Sequence, residues 1–167
     1  MNKVDQGLRL AVVTVSDTRT EETDRSGGVL VERLKAAGHT LQHKIIIPDD
    51  VYLLRAEVSR LIADPSVQGV LMTGGTGFTP RDNTQKAIQI LFDVAIDGFG
   101  ELFRQLSYDE IGTSTIQSRA FAGVANDTIV FCLPGSPGAC ATGWDKIIAE
   151  QLDRDHKPCN FADKLKP

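Results

Sequence analysis

Two short stretches carry the residue types that phosphate chemistry uses. From Thr73 to Asp82 the chain reads TGGTGFTPRD, with Gly74, Gly75 and Gly77 crowded around Thr76. Without a Cβ the backbone reaches positive φ and lets a ligand approach its N–H groups, as glycine-rich turns do around phosphates. Arg81 and Asp82 close the stretch with a cation and a metal-capable carboxylate. The second stretch, Pro134-Gly135-Ser136-Pro137-Gly138, repeats the arrangement after another apolar run. Asp49, in Pro48-Asp49-Asp50, supplies a second carboxylate, and with Asp82 it could approach a shared Mg²⁺, which favours oxygen ligands and bridges substrate phosphates.

Each of these features has a plainer reading. A glycine turn also serves tight strand-to-helix packing, Asp49 and Asp82 both stand where a helix N-cap would, and Arg81 could be solvated. The familiar nucleotide fingerprints are absent: there is no G-x-x-x-x-G-K-[ST], and Gly75, Gly77 and Pro80 do not complete G-x-G-x-x-G. A dinucleotide-binding oxidoreductase is therefore disfavoured. No G-x-S-x-G elbow, cysteine–histidine pairing or zinc set appears, so covalent catalysis is not indicated. Phosphoryl or nucleotidyl transfer, by contrast, can run on positioning by amides, cations and a metal.

Strand ends must bring these residues together. Leu8 to Val15 is an almost unbroken apolar run, the pattern of a strand buried on both faces, and it ends at Ser16-Asp17-Thr18. TEETDR, residues 20–25, reads as a solvated charged segment before a helix that opens at Ser26-Gly27-Gly28 and is capped by Gly38. Leu41 to Ile47 reads as a second strand, the stretch from Val51 to Asp64 as a helix, and Val67 to Met72 as a third strand. Strands alternating with helices imply right-handed crossovers and a parallel sheet covered on both faces. In such sheets ligands bind beyond the carboxyl ends of the strands, so Ser16-Asp17, Asp49-Asp50 and Gly74 to Asp82 should line one edge.

Farther on, a helix is expected over Gln85 to Phe92, an amphipathic segment around Leu102, Phe103 and Leu106, and a strand or hairpin near Phe121 to Asp127. Thr128 to Leu133 reads as a buried strand and Ala139 to Leu152 as a helix. The tail, residues 153–167, is expected to lie extended over the body or a neighbouring subunit. We read 1–167 as one domain, since no linker divides it.

The totals limit the partners. Acidic residues number 22 against 18 lysines and arginines, a net charge of −4 that gives no basic field for nucleic acid. No segment reads as a membrane span or secretory leader. Cys132, Cys140 and Cys159 form no CxxC pair, which with the above points to a reducing, cytoplasmic setting.

Taken in order, VVTVSD (12–17), SGG (26–28), PDD (48–50), TGGTGFTPRDNT (73–84), GFGE (98–101), SRA (118–120) and LPGSPGA (133–139) make the chain resemble the molybdenum cofactor biosynthesis proteins of the MoaB/MogA type, the molybdopterin adenylyltransferase family. The closing RDHKPCNFADKLKP is similar to the MoaB branch. The resemblance implies a three-layer α-β-α fold with a mostly parallel central sheet. It also implies transfer of AMP from Mg-ATP to the terminal phosphate of molybdopterin, with pyrophosphate released. Carried over residue by residue, Asp49 and Asp82 are the essential acidic pair near Mg²⁺. Ser16, Thr73, Gly74, Gly75, Thr76, Gly77 and Arg81, with Pro134, Gly135 and Ser136, face the ligands, and Ser118 and Arg119 lie on the pterin or phosphate side.

The same resemblance implies a homotrimer or homohexamer. Two departures mark this chain: Thr84-Gln85-Lys86-Ala87 stands where the family commonly has T-P-E-A, and PGSPGA replaces PGNP. A lysine in place of the glutamate bears on the local metal environment, and a non-catalytic molybdopterin-binding role is the alternative it favours.

Overall fold

The computed structural model describes residues 7–167. Six strands form one sheet in the order β2-β1-β3-β6-β5-β4. In chain order the elements are β1 (Arg9–Val15), α1 (Arg25–Ala36), β2 (Thr40–Ile47), α2 (Val51–Ala63), β3 (Gly69–Thr73), α3 (Thr84–Ile88), β4 (Val94–Ala95), α4 (Asp97–Ile111), β5 (Phe121–Ala125), β6 (Thr128–Leu133), α5 (Pro137–Gly143) and α6 (Ala149–Gln151). The first four strands of the sheet order run parallel, while β5 is antiparallel to β6 and to β4.

The period-2 alternation of β1 explains the three layers. Leu10 and Val12 face one side with Leu30, Leu34, Phe99, Phe103 and Trp144, contributed by α1, α4 and the segment after α5. Ala11, Val13 and Val15 face the other with Leu54, Val58, Leu61, Met72 and Ile88, from α2, β3 and α3. Because both faces are covered, the central strands read as continuous apolar runs; β2, at the sheet edge, is only half-buried over most of its length.

Helix starts follow local chemistry. Asp50 Oδ1 accepts from the amides of Tyr52 and Leu53, both at 2.9 Å, and so caps α2. Asp24 caps α1 by accepting from Gly27 N at 2.9 Å. The segment expected to be solvated therefore contains a buried aspartate, because the helix begins at Arg25 and needs an acceptor just before it. Ser136 caps α5, accepting from Ala139 N, with Pro137 in the first turn.

Several expected elements come out shorter or broken. The helix after the glycine turn ends at Ile88 and tightens into a 3₁₀ turn over Gln89–Leu91. There the chain must swing out to lay Phe92 against Phe121 and hydrogen-bond Asp93 N to Val124 O. Asn126 and Asp127, both at positive φ, make the two-residue turn between β5 and β6. The long last helix is interrupted by a π-helical turn, Trp144–Ile148. The tail packs on its own chain, where Asn160 and Ala162 are buried and Lys166 Nζ donates to the carbonyls of Ile62 and Asp64.

Candidate functional site

The carboxyl ends of β1, β2, β3 and β6 converge, and their loops are tied to one another. Asp17, after β1, accepts from Asp49 N, after β2, at 3.0 Å. Asp49 Oδ1 in turn accepts from Asn83 N at 3.0 Å and Asn83 Nδ2 at 2.9 Å, in the loop after β3. Gly74 N donates to Leu133 O, linking that loop to the end of β6.

The glycine turn needs its glycines. Gly74 and Gly75 have φ of +99° and +69°, and a Cβ on Gly74 would sit 2.4 Å from Val15 O. On Gly75 it would meet Thr84 Oγ1 at 2.2 Å and Asp49 Oδ2 at 2.9 Å; on Gly77 it would meet Asp82 Oδ2 at 2.7 Å. The two carboxylates thus stand against the same turn, two residues apart along it. Thr84 fastens the turn from behind, through its hydroxyl to Gly74 O at 2.8 Å and its amide to Gly75 O at 3.0 Å. Thr76, inside the turn, is buried.

Neither acid is a helix cap. Asp49 is buried, yet only Oδ1 is engaged by the hydrogen bonds from Asn83. Asp82 Oδ2 accepts from Thr79 N at 3.0 Å and Thr79 Oγ1 at 2.7 Å. Burial would raise the Asp82 carboxyl, but the Thr79 hydroxyl and amide, the Gly77 amide and the charge of Arg119 outweigh it and hold the group below its usual value. Asp82 is therefore anionic at neutral pH. Among the described residues no three acidic, histidine or cysteine side chains cluster as a metal cage. Two carboxylates with oxygens to spare suit instead a hard cation such as Mg²⁺ that brings phosphate oxygens and water with it. Asp49 and Asp82 would hold it.

The remaining candidate residues fall into three groups. Ser16 and Gly135 line a cavity of about 250 Å³ with Thr73, Arg19, Asp24, Arg25 and Ser26. Ser16 Oγ closes the turn after β1 by accepting from the amides of Thr18 and Arg19. The Thr73 hydroxyl donates to Pro134 O at 2.8 Å and accepts from Cys140 Sγ at 3.1 Å, so it bridges the two glycine loops. Gly135 lies backbone to backbone with Gly74, and its carbonyl accepts from Ser26 Oγ. Ser136 is turned to its cap.

Arg81 lies on the rim, 60% exposed, with both nitrogens on Asp17: Nη2 to Oδ1 at 2.7 Å and Nε to Oδ2 at 3.0 Å. The inward cation is Arg119. It donates to Gly77 O and to Gln85 Oε1 and lies over the Phe78 ring. It lines a second cavity, of about 340 Å³, with Gln85, Arg104, Asp97 and Glu101. Beside it, Ser118 Oγ is buried with no hydrogen-bond partner among the described residues. Lys86 is exposed and makes no ion pair among the described residues, with Asp49, Asp82 or any other acid.

Sequence reasoning missed the floor of the first cavity. Asp24 accepts from Thr14 Oγ1 at 2.6 Å and pairs with Lys44 Nζ at 3.1 Å. Burial opposes its ionisation, but the Thr14 hydroxyl, the Gly27 amide and Lys44 together hold its carboxyl below the usual value. An aspartate three residues before Gly27 was a legible N-cap signal; its pairing with Lys44, on another strand, was not.

Residues 11–154 match the family model described as a probable molybdopterin binding domain. The chain is 52% identical over 158 residues to molybdenum cofactor biosynthesis protein B of Escherichia coli (strain K12), covering 95% of this chain and 93% of that protein. A crystal structure of a molybdenum cofactor biosynthesis protein B superposes with a TM-score of 0.85 at 46% identity, over 87% of this chain and 91% of that one. The tungsten cofactor synthesizing protein MoaB from Pyrococcus furiosus gives 0.77 at 36% identity, over 86% and 92%. No helix of the described residues is long and apolar enough to cross a membrane.

Proposed function

From the premise that this chain belongs to the molybdopterin-binding domain family, as a homologue of molybdenum cofactor biosynthesis protein B, we propose that it transfers AMP from Mg-ATP to the terminal phosphate of molybdopterin. The observation that carries the reading is the Asp49–Asp82 pair set against Gly75 and Gly77. A phosphate monoester is already anionic near neutral pH, so it attacks the α-phosphorus without a strong base. A bond forms between a monoester oxygen and that phosphorus, the bond to the bridging oxygen breaks, and pyrophosphate leaves with the electron pair.

The work left to the protein is holding anions together in line. Bound Mg²⁺ supplies charge neutralisation and orientation of phosphate oxygens. The amides of Gly75 and Thr76, inside the glycine turn, offer donors without adding negative charge, Gly135 closes the opposite wall, and Arg119 balances charge on the side of the second cavity. The low carboxyl value of Asp82 keeps it a ligand rather than a proton donor.

AMP transfer from Mg-ATP to molybdopterin, followed as pyrophosphate release, tests the proposal in wild type and Asp82→Asn. Loss of at least two orders of magnitude in the variant is expected. Equal rates, or no product from either protein, would sink the catalytic assignment. A second reading, binding and delivery of molybdopterin without turnover, is favoured by the engagement of Arg81 with Asp17, which leaves one cation fewer for a triphosphate. It predicts tight pterin binding and no ATP-dependent product. Assembly as a homotrimer or homohexamer in the cytoplasm completes the proposal, and light scattering on the intact chain reads the mass.

A further inference from the structure

We infer that Gln85 is a positioning residue that aims the Arg119 guanidinium, with its charge unspent, at an anionic group of the substrate; the inference rests on the function proposed above. Gln85 Oε1 accepts from Arg119 Nε at 2.9 Å and also from Nη2, while Gly77 O accepts from Nη1 at 2.8 Å. The Phe78 ring lies 5.3 Å from the guanidinium carbon. All three contacts are neutral. They fix the plane of the guanidinium through one face and two edges, and none of them cancels its charge.

Arg104, which lines the same cavity, likewise donates only to carbonyl oxygens, those of Ser118 and Ala120, but two arginines elsewhere are used differently. Arg81 and Arg33 each put two nitrogens on a carboxylate, Asp17 and Asp145, and so are discharged on the surface. Arg119 makes no ion pair among the described residues, although Asp97 and Glu101 line the same cavity and its charge reaches Asp82, whose carboxyl it helps to hold low. A half-buried guanidinium held only by carbonyl oxygens keeps its attraction for an incoming anion, and the lower dielectric of a cleft strengthens it. A proline at position 85, which the resemblance implies for the family, has no side-chain acceptor to offer; the clamp needs the Gln85 side chain. It ties Arg119 to the stretch after β3 at two points, Gly77 in the glycine turn and Gln85 in α3.

The isosteric change Gln85→Glu separates aiming from scaffolding, because a carboxylate keeps or strengthens both hydrogen bonds while neutralising the cation. Inorganic pyrophosphate, titrated calorimetrically without metal, is the probe. Relative to wild type, Gln85→Glu is expected to bind it about tenfold more weakly or worse, at an unchanged or higher melting temperature. Gln85→Met, which leaves Arg119 charged but unheld, is expected to weaken binding several-fold, and Arg119→Gln to abolish the same component. Binding by Gln85→Glu within twofold of wild type would overturn the inference, as would a wild type with no pyrophosphate binding that Arg119→Gln removes. These outcomes do not depend on AMP transfer, so a failure of the adenylyl reaction and a failure of the clamp are read separately.

Discussion

The Asp24 carboxylate lies 3.1 Å from Lys44 Nζ, with the aspartate side chain 1% and the lysine side chain 13% exposed. Thr14 Oγ1 and the Gly27 amide complete the shell of the acid, so this one side chain ties β1, β2 and the start of α1 beneath the first cavity. Removing the cation leaves a buried carboxylate with only neutral donors. Lys44→Met should cost about 3 kcal/mol, read as a lower urea midpoint with unchanged slope.

The same acid makes a pH prediction. Its carboxyl is held below the value it has when unfolded, so the stabilisation is fully present above about 3.8 and is lost as the pH falls through the folded value. Asp24→Asn should accordingly start less stable at pH 7 and lose less on acidification than wild type. Urea melts at pH 7, 5 and 3.5 check this; parallel curves would contradict it.

His39 titrates in the opposite range. Burial lowers its pKa from 6.5, only partly offset by Asp153, and its Nδ1 accepts from Leu8 N at 3.0 Å. Below 6.5 the unfolded chain takes up a proton that the folded chain resists, so stability declines as pH drops from 7 toward 5. Replacing His39 with Gln should flatten this part of the profile.

The turn that carries the acidic pair should be intolerant of a methyl group. Gly74→Ala meets both a positive φ and Val15 O at 2.4 Å, an expected loss of roughly 2–3 kcal/mol with the site disordered. Gly28→Ala, in α1 with open space around it, should instead be neutral or slightly stabilising by comparison. Thermal melts of the two variants rank them.

Thiol chemistry offers a check on burial at the loop bridge. Burial pushes the Cys140 thiol up to about 11 and the Cys132 thiol well above its usual value, whereas Cys159 is exposed. An alkylating reagent at pH 7.5 should label Cys159 alone in the native protein and all three thiols in urea. In Thr73→Val, which fills the same space but removes the hydroxyl that holds the Cys140 thiol down, Cys140 should stay unlabelled in the native state.

Much of this architecture is legible in the residues. The apolar runs of β1, β3 and β6 announce buried parallel strands, and the strand-end rule gathers Asp17, Asp49 and Gly74 to Asp82 before any contact is known. What stays hidden is pairing at long separation. That Asp50 rather than Asp49 caps α2 is decided by which carboxylate reaches two amides, not by residue type. That Arg81 turns outward and Arg119 inward depends on Asp17 and Gln85, residues 64 and 34 positions away. The shortening at Ile88 follows from Phe92 and Phe121 meeting across the chain, beyond the reach of periodicity.

The register of β3 with β6 pairs Gly69 with Ile129 and Thr73 with Leu133, joining stretches synthesised far apart in time. Because one wall of the cleft hangs from β3 and the other from β6, the cleft has no local precursor. It comes into being only when this distant pairing closes, a late event by the logic of loop entropy. Pyrophosphate or pterin binding during refolding would therefore report completion of the fold itself, and a chain stalled before β6 docks would be as inert toward its ligands as an unfolded one.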